Sequence, residues 1–181
     1  LSLADALNKE ATTDLRIISD RDLIEEELKS YEIPFEYNIL NDCLKLGKNI
    51  NFNTYMSYKN GSFEVQDEGS QLISILLDPK PDEDILDYCS GGGGKTIHIA
   101  ELANDQALID ATDINIKRLR ETERRVGLHG LSSVLILHIE DIDSDEKQYH
   151  KVLIDAPCSG SGTVRRAPEI RYTITDELID S

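Results

Sequence analysis

Three short stretches of this chain carry residue types that do chemistry, at spacings that packing alone does not require. The first is Asp87-Tyr-Cys-Ser-Gly-Gly-Gly-Gly-Lys-Thr96, four glycines set between a carboxylate and a Lys-Thr pair. Glycines let a backbone approach a ligand with no Cβ in the way. A helix opened by such a loop offers unpaired N–H groups to a carboxylate or phosphate. The second is a pair of later carboxylates, Asp113 and Asp141. Asp113 at a strand end can accept both hydroxyls of a ribose, and Asp141 can reach an adenine amino group. The third is Asp155-Ala-Pro-Cys-Ser-Gly-Ser-Gly162. Pro157 fixes the backbone there. Cys158 is then held beside the place where a cofactor's reactive carbon would lie, and Asp155 can accept from an exocyclic amine or hold a ring nitrogen's proton.

Bland readings stand beside each. The glycine run can be a tight packing turn. The carboxylates Asp141, Asp143, Asp145 and Glu146 can be a solvated acidic turn, and Cys158 an inert thiol before a flexible loop. The end of the run, GGGGKT, also looks like a phosphate cradle. The spacing G-x-x-x-x-G-K-[ST] requires a glycine at position 89, which is Cys89. The first glycine therefore comes two places late, and a nucleotide-binding ATPase remains only as an alternative. The full G-x-G-x-x-G dinucleotide fingerprint is not cleanly present either.

The elements that must position these residues follow from pattern. Leu15–Ile18 reads as a strand, and Asp20 as the cap of a helix running to about Tyr31, broken by Pro34. Short strands are expected at Tyr37–Leu40 and Cys43–Leu46, and Asn60-Gly61 marks a turn. From Gln66 on, strand-like and helix-like runs alternate. Helices are predicted over Ser70–Leu77, Lys95–Ala103 and Ile114–Val126, the last stopped by Gly127. Strands are predicted at Ile85–Asp87, Ala107–Thr112, Val134–Leu137 and Val152–Ile154. That alternation implies a parallel doubly wound sheet, whose ligands sit outside the carboxyl ends of the strands. The division expected is a small α+β domain over residues 1–60 and an α/β domain over 61–181.

Composition narrows the partners. The net charge is −16, awkward for nucleic acid, where phosphate contacts need Lys and Arg. Two basic patches stand out: Lys117, Arg118, Arg120, Arg124 and Arg125, then Arg165, Arg166 and Arg171. Either is a solvated face or a polyanion contact. No run of eighteen apolar residues suggests a membrane span, and no signal-peptide pattern follows Leu1. Three cysteines with no CxxC argue against a disulfide framework or a metal site, and a reducing cytoplasm fits best. His98 reads as a packing or surface residue and Cys43 as a small apolar one.

The runs VQDEGSQ (Val65–Gln71), DYCSGGGGKT, ATDINIKRL (Ala111–Leu119), DAPCSGSG and RRAPEIRY (Arg165–Tyr172) together resemble the Sun/Fmu and NOL1/NOP2 family of S-adenosylmethionine-dependent RNA cytosine-C5 methyltransferases. The motifs come in family order over roughly residues 64 to 173. The resemblance implies a Rossmann-like class I methyltransferase fold, here a truncated doubly wound sheet, preceded by a small α+β domain of the kind that binds RNA. It implies S-adenosyl-L-methionine as cofactor, held by Cys89, Ser90, Gly91, Gly92, Gly93, Gly94 and Lys95. Asp113 would take the ribose, Asp141 the adenine side, and Asp155 would lie between cofactor and base with Lys95 close by. Arg165, Arg166 and, from the N-terminal part, Arg16 would contact RNA, ribosomal RNA before transfer RNA. No metal and no membrane enter.

The family's chemistry divides between two cysteines. A nucleophile on a later Thr-Cys-Ser-like segment adds to C6 of cytosine, and the DAPC cysteine, Cys158 here, assists product release. No cysteine follows Cys158 in the 181 residues. A truncated chain is therefore expected, binding cofactor without turnover; a non-catalytic RNA-binding or assembly factor is the alternative. Two departures weaken the match. Glycine stands at 91 and 92 where the family often has a proline, which predicts a looser loop. Leu15-Arg-Ile-Ile-Ser19 keeps Arg16 but lacks the Asn of the family's Arg-Val-Asn-like motif, and residues 1–60 carry seven basic against eleven acidic groups.

Overall fold

The computed structural model describes residues 11–48, 50–144, 147–158, 160 and 163–173, together with Ser2, Asp5 and Asn8. Asp145 and Glu146 of the acidic run, Ser159, Ser161 and Gly162 of the DAPCSGSG stretch, and residues 174–181 lie outside them. The chain divides into two compact units, Thr13–Asp155 and a second made of Leu1–Thr12 with Ala156–Ser181.

The larger unit holds two sheets. The first is antiparallel, in the order β2-β3-β1-β4: β1 is Thr13–Ile17, β2 Phe35–Tyr37, β3 Cys43–Leu46 and β4 Phe63–Val65. Helix α1, Arg21–Ser30, covers it. Asp20 caps α1 as expected, its carboxylate accepting from the backbone N–H of Asp22 and Leu23, a contact worth ~1 kcal/mol. Leu15, Ile24, Leu28, Leu44, Leu46 and Phe63, each 0–1% exposed, form the core between sheet and helix. A 3-10 turn at Phe52–Thr54 and a short helix α2, Met56–Lys59, lead into β4.

The strand predicted at Tyr37–Leu40 ends instead at Tyr37. Asn38 to Asp42 form the turn, closed by the Cys43 N–H on the Leu40 carbonyl at 3.1 Å. Strand β4 was not anticipated; three residues are too few to show alternation. It pairs antiparallel with β1 through Leu15–Val65, Arg16–Glu64 and Ile17–Phe63. Cys43 is fully buried, its sulfur accepting from Gln71 Nε2 at 3.2 Å.

Helix α3, Glu68–Leu77, leads to the second sheet, which is wholly parallel in the order β7-β6-β5-β8. Its strands are β5 Asp84–Asp87, β6 Leu108–Ala111, β7 Val134–Ile136 and β8 Lys151–Leu153. Between them run α4 Gly94–Leu102, α5 Ile116–Leu128 and α6 Ile139–Ser144. Ile85, Ile99, Ala100, Ala103, Ala107 and Ile109 close the core between β5, β6 and α4; small alanines let helix and sheet approach. Helix α5 does not stop at Gly127. It runs to Leu128, and the left-handed residue that ends it is Gly130, at φ +62°.

The second unit contains a turn closed by Thr163 Oγ1 on the Gly160 carbonyl at 2.7 Å, and a short helix α7, Ile170–Thr173. Cys158, Arg165 and Arg166 lie in this unit and are exposed.

Candidate cofactor site

A parallel register brings the C-terminal ends of all four strands to one edge. Asp87 ends β5 opposite Ala111 and Leu153, so Asp113, two residues past β6, and Asp155, two past β8, lie beyond the same edge. Asp141 follows β7 on the first turn of α6 and is exposed.

The glycine loop crosses this edge between β5 and α4. The Ser90 N–H donates to the Thr112 carbonyl at 2.9 Å, and the Gly93 N–H to the Ser90 carbonyl at 2.9 Å. Gly91 and Gly93 have φ of +60° and +83°. A Cβ on Gly93 would sit 2.8 Å from Thr122 Cγ2, so glycine is required there on both counts. No side chain caps α4. Its first N–H groups are therefore available to a carboxylate.

Helix α5 holds the loop from behind. Thr122 Oγ1 donates to the Gly91 carbonyl at 3.0 Å, and Arg125 Nη1 to the Gly92 carbonyl. Asp113 holds it in front, one carboxylate oxygen accepting from the Gly91 N–H at 2.9 Å and the other from the Asn115 N–H at 2.7 Å. The loop is thus pinned at Ser90, Gly91, Gly92 and Gly93, not loosened by its glycines. Proline is also impossible at Gly91, because its ring fixes a negative φ.

The charges are uneven. Asp87 is 1% exposed; Oδ2 accepts from Thr96 Oγ1 at 2.7 Å, while Oδ1 is buried without a partner. Burial pushes its carboxyl up to about 6, against the Thr96 hydrogen bond and the Lys95 charge. Lys95 pairs with Asp155. Burial, then Asp113, Asp87 and Asp155, push the Cys89 thiol up. The loop therefore faces three carboxylates with one lysine among them, and Cys89 is kept protonated. Such a site suits a cationic ligand and opposes a triphosphate.

Sequence reasoning missed what fixes the loop from the antiparallel sheet. Glu64 of β4 pairs with Arg125 and accepts from His129 Nε2 at 2.7 Å. Burial pushes the Glu64 carboxyl up, but the His129 hydrogen bond and Arg125 outweigh it and hold it below the ordinary value. His129 Nδ1 lies 3.8 Å from Glu101 Oε1, and Glu101 pairs with Arg16. Arg16, expected at RNA, is 3% exposed; Nη1 pairs with Glu101, Nε donates to Gln66 Oε1 at 2.7 Å, and Nη2 is buried with no hydrogen-bond partner among the described residues, so it offers no surface charge to a phosphate. These partners are 50 and 85 residues away in sequence, so no local signal could have found them. His98 is buried on α4, and burial followed by the Arg16 charge pushes its imidazole down to about 3. Among the described residues no group of three His, Cys, Asp or Glu could hold a metal, and no helix is long and apolar enough to cross a membrane.

A parallel sheet in the order β7-β6-β5-β8, a glycine loop after β5 and a carboxylate after β6 make a Rossmann-like arrangement, and its solved relatives make it the class I methyltransferase fold, whose cofactor is S-adenosylmethionine. Residues 74–181 match the family model described as 16S rRNA methyltransferase RsmB/F, and the chain belongs to this family, within the Sun/Fmu group. It is 36% identical over 146 residues to a probable ribosomal RNA small subunit methyltransferase B of Bacillus subtilis, covering 75% of this chain and 31% of the relative. The chain thus spans about a third of that relative's length. The crystal structure of PH0851 superposes with a TM-score of 0.88 at 30% identity, over 97% of this chain and 42% of that one. NSun6 from Pyrococcus horikoshii with SFG gives 0.83 at 18% identity, over 97% and 70%; at that identity the likeness is one of fold.

Proposed function

We propose that these residues form the cofactor-binding part of an S-adenosylmethionine-dependent enzyme that methylates C5 of cytosine in RNA, ribosomal RNA first. The observation that carries the reading is the acidic strand edge around an uncapped helix N-terminus. The cofactor has a carboxylate for that helix end and two cations, an ammonium and a sulfonium, for the carboxylates. The N–H groups of Gly94 and Lys95 take the methionine carboxylate. The buried, half-satisfied Asp87 takes the ammonium, Asp113 the ribose hydroxyls and Asp141 the adenine side. Residues 1–60 serve as the RNA-facing domain and 61–181 as the methyltransferase domain.

Bound S-adenosylmethionine supplies a methyl group on a positively charged sulfur. Cytosine C5 attacks it only when a thiolate has added to C6 and made C5 enamine-like. Asp155, fixed by Lys95, holds the base through its exocyclic amine or ring nitrogen. Transfer would leave S-adenosylhomocysteine; the C5 proton would then pass to solvent as the C6–sulfur bond breaks and the thiolate departs, restoring the aromatic ring, and Cys158 would assist that release. Cys89 is unsuited as nucleophile because its thiol is pushed up, and no cysteine follows Cys158. The 181 residues alone therefore bind cofactor without turnover.

RNA carrying tritium at C5 of cytosine tests this. With the full reading frame, methylation must release tritium in step with methyl incorporation, and the 181-residue chain must release none. Methyl incorporation with the label retained would place the reaction at another atom.

A further inference from the structure

Helix α5 carries a charge pattern that the cofactor site does not explain. Residues 117–125 hold five cations against two carboxylates, Glu121 and Glu123, in a chain of net charge −16. Leu119, Thr122 and Val126 form the buried face, and Thr122 and Arg125 hold the glycine loop. Lys117, Arg120 and Arg124 lie on the exposed side, three and then four residues apart. At that spacing they form one row about 10 Å long.

Three observations mark this row as a binding surface. First, Lys117, Arg118 and Arg120 form no ion pair with any described residue, although the chain has 35 carboxylates to draw on, whereas Arg124 donates to Glu121 from Nε at 2.9 Å and from Nη2 at 2.7 Å. Secondly, the first turn of α5 contains cations and no acid. The helix dipole disfavours that arrangement. A local cost with no compensating ion pair among the described residues is the kind of conflict that function retains. Thirdly, the row runs into a cleft of about 360 Å³ between α5 and the segment of the 3-10 turn and α2. Tyr58, Lys59 and Leu128 line it, together with Arg124 and Arg125 and the carboxylates Glu121 and Glu64 that those arginines neutralise. Lys59 is exposed and adds a further cation with no ion pair among the described residues. Cations beside an aromatic ring are the combination that holds a nucleic-acid strand, through phosphates and a stacked base.

S-adenosylmethionine has no phosphate, so the cofactor cannot be what these cations serve. We propose that Lys117, Arg120 and Lys59 form a phosphate-binding track for the RNA strand, with the Tyr58 cleft seating one of its nucleotides. The inference rests on the RNA-methyltransferase reading. The track is sequence-independent: it supplies affinity and register, while the target base is read at the strand edge.

The test compares the protein with a K59Q/K117Q/R120Q variant, using a fluorescein-labelled single-stranded RNA of twenty nucleotides containing cytosines. Affinity is measured from 50 to 300 mM NaCl, and S-adenosylmethionine affinity by calorimetry. Each lost phosphate contact lowers the slope of log K against log salt by about 0.7 for a single strand. The variant should lose roughly 2 from the slope, bind at least tenfold more weakly at the lowest salt, and bind cofactor unchanged. Tyr58→Leu should weaken RNA binding with the slope unchanged. An unaltered slope in the triple variant, with the wild type binding RNA, would overturn the track and leave the enzymatic reading intact. Absence of RNA binding by the wild type in all salts would overturn both.

Discussion

Asp87 concentrates the chemistry of the site in one carboxyl group. It is buried, one oxygen lacks a partner, and burial pushes its ionisation up to about 6. A cofactor ammonium selects the ionised form, so affinity for S-adenosylmethionine should rise with pH from 5 to 7 and level off above. Calorimetry in buffers of different ionisation enthalpy should show proton release near pH 6. In the free protein the sign is opposite. A raised folded value means that the native state binds more protons than the unfolded one between about 3.8 and about 6, so this group's contribution to stability falls as pH rises through that window. Asp87→Asn should remove both pH dependences. It should also weaken the cofactor about 10- to 100-fold, the loss of one charge-assisted hydrogen bond of ~1.5–3 kcal/mol. Equal affinity for both proteins at pH 7 would remove Asp87 from the site. His98 behaves as the reverse case. Its folded value of about 3 lies below the ordinary 6.5, so the stability it contributes is lost as pH falls below 6.5. His98→Gln should flatten thermal stability between pH 6.5 and 5.

At the scale of elements, the loop is shaped by its neighbours. Gly93 needs φ +83° and would place a Cβ 2.8 Å from Thr122. Gly93→Ala should cost about 1–3 kcal/mol for the backbone alone, more with the clash, readable as a lowered midpoint in urea. Arg125 acts through a fork: Nη1 on the Gly92 carbonyl, Nε and Nη2 on Glu64. Arg125→Lys keeps the charge and loses the fork. It should weaken cofactor binding several-fold with thermal stability nearly held, whereas Glu64→Ala leaves Arg125 buried with no counter-charge and should cost about 3–5 kcal/mol of stability. Equal losses of binding and stability in the two variants would reduce the pair to a packing element. This contact also shows where sequence reading stops. The loop, Asp113 and Asp155 were legible because each follows its own strand, and a parallel sheet brings strand ends to one edge. Glu64 and Arg125 are 61 residues apart, one on a strand of the antiparallel sheet and the other on helix α5. Strand β4 has three residues, and Arg16 looks like a surface cation until its buried partners are known.

For the molecule as a whole, charge decides more than shape. At −16 the folded chain repels itself, and salt should raise its melting temperature through screening while weakening its hold on RNA. The opposite slopes separate fold electrostatics from ligand electrostatics in one pair of titrations. Composition argued against nucleic acid because an overall sum cannot reveal a local cluster such as the cations of α5 and the neighbouring Lys59. Direct titration of the chain with S-adenosylmethionine, with ATP–magnesium as control, tests the central claim most directly. Saturable 1:1 binding of the methyl donor and none of ATP is the predicted result. Binding of ATP without the methyl donor would contradict the account and return the glycine loop to a phosphate cradle.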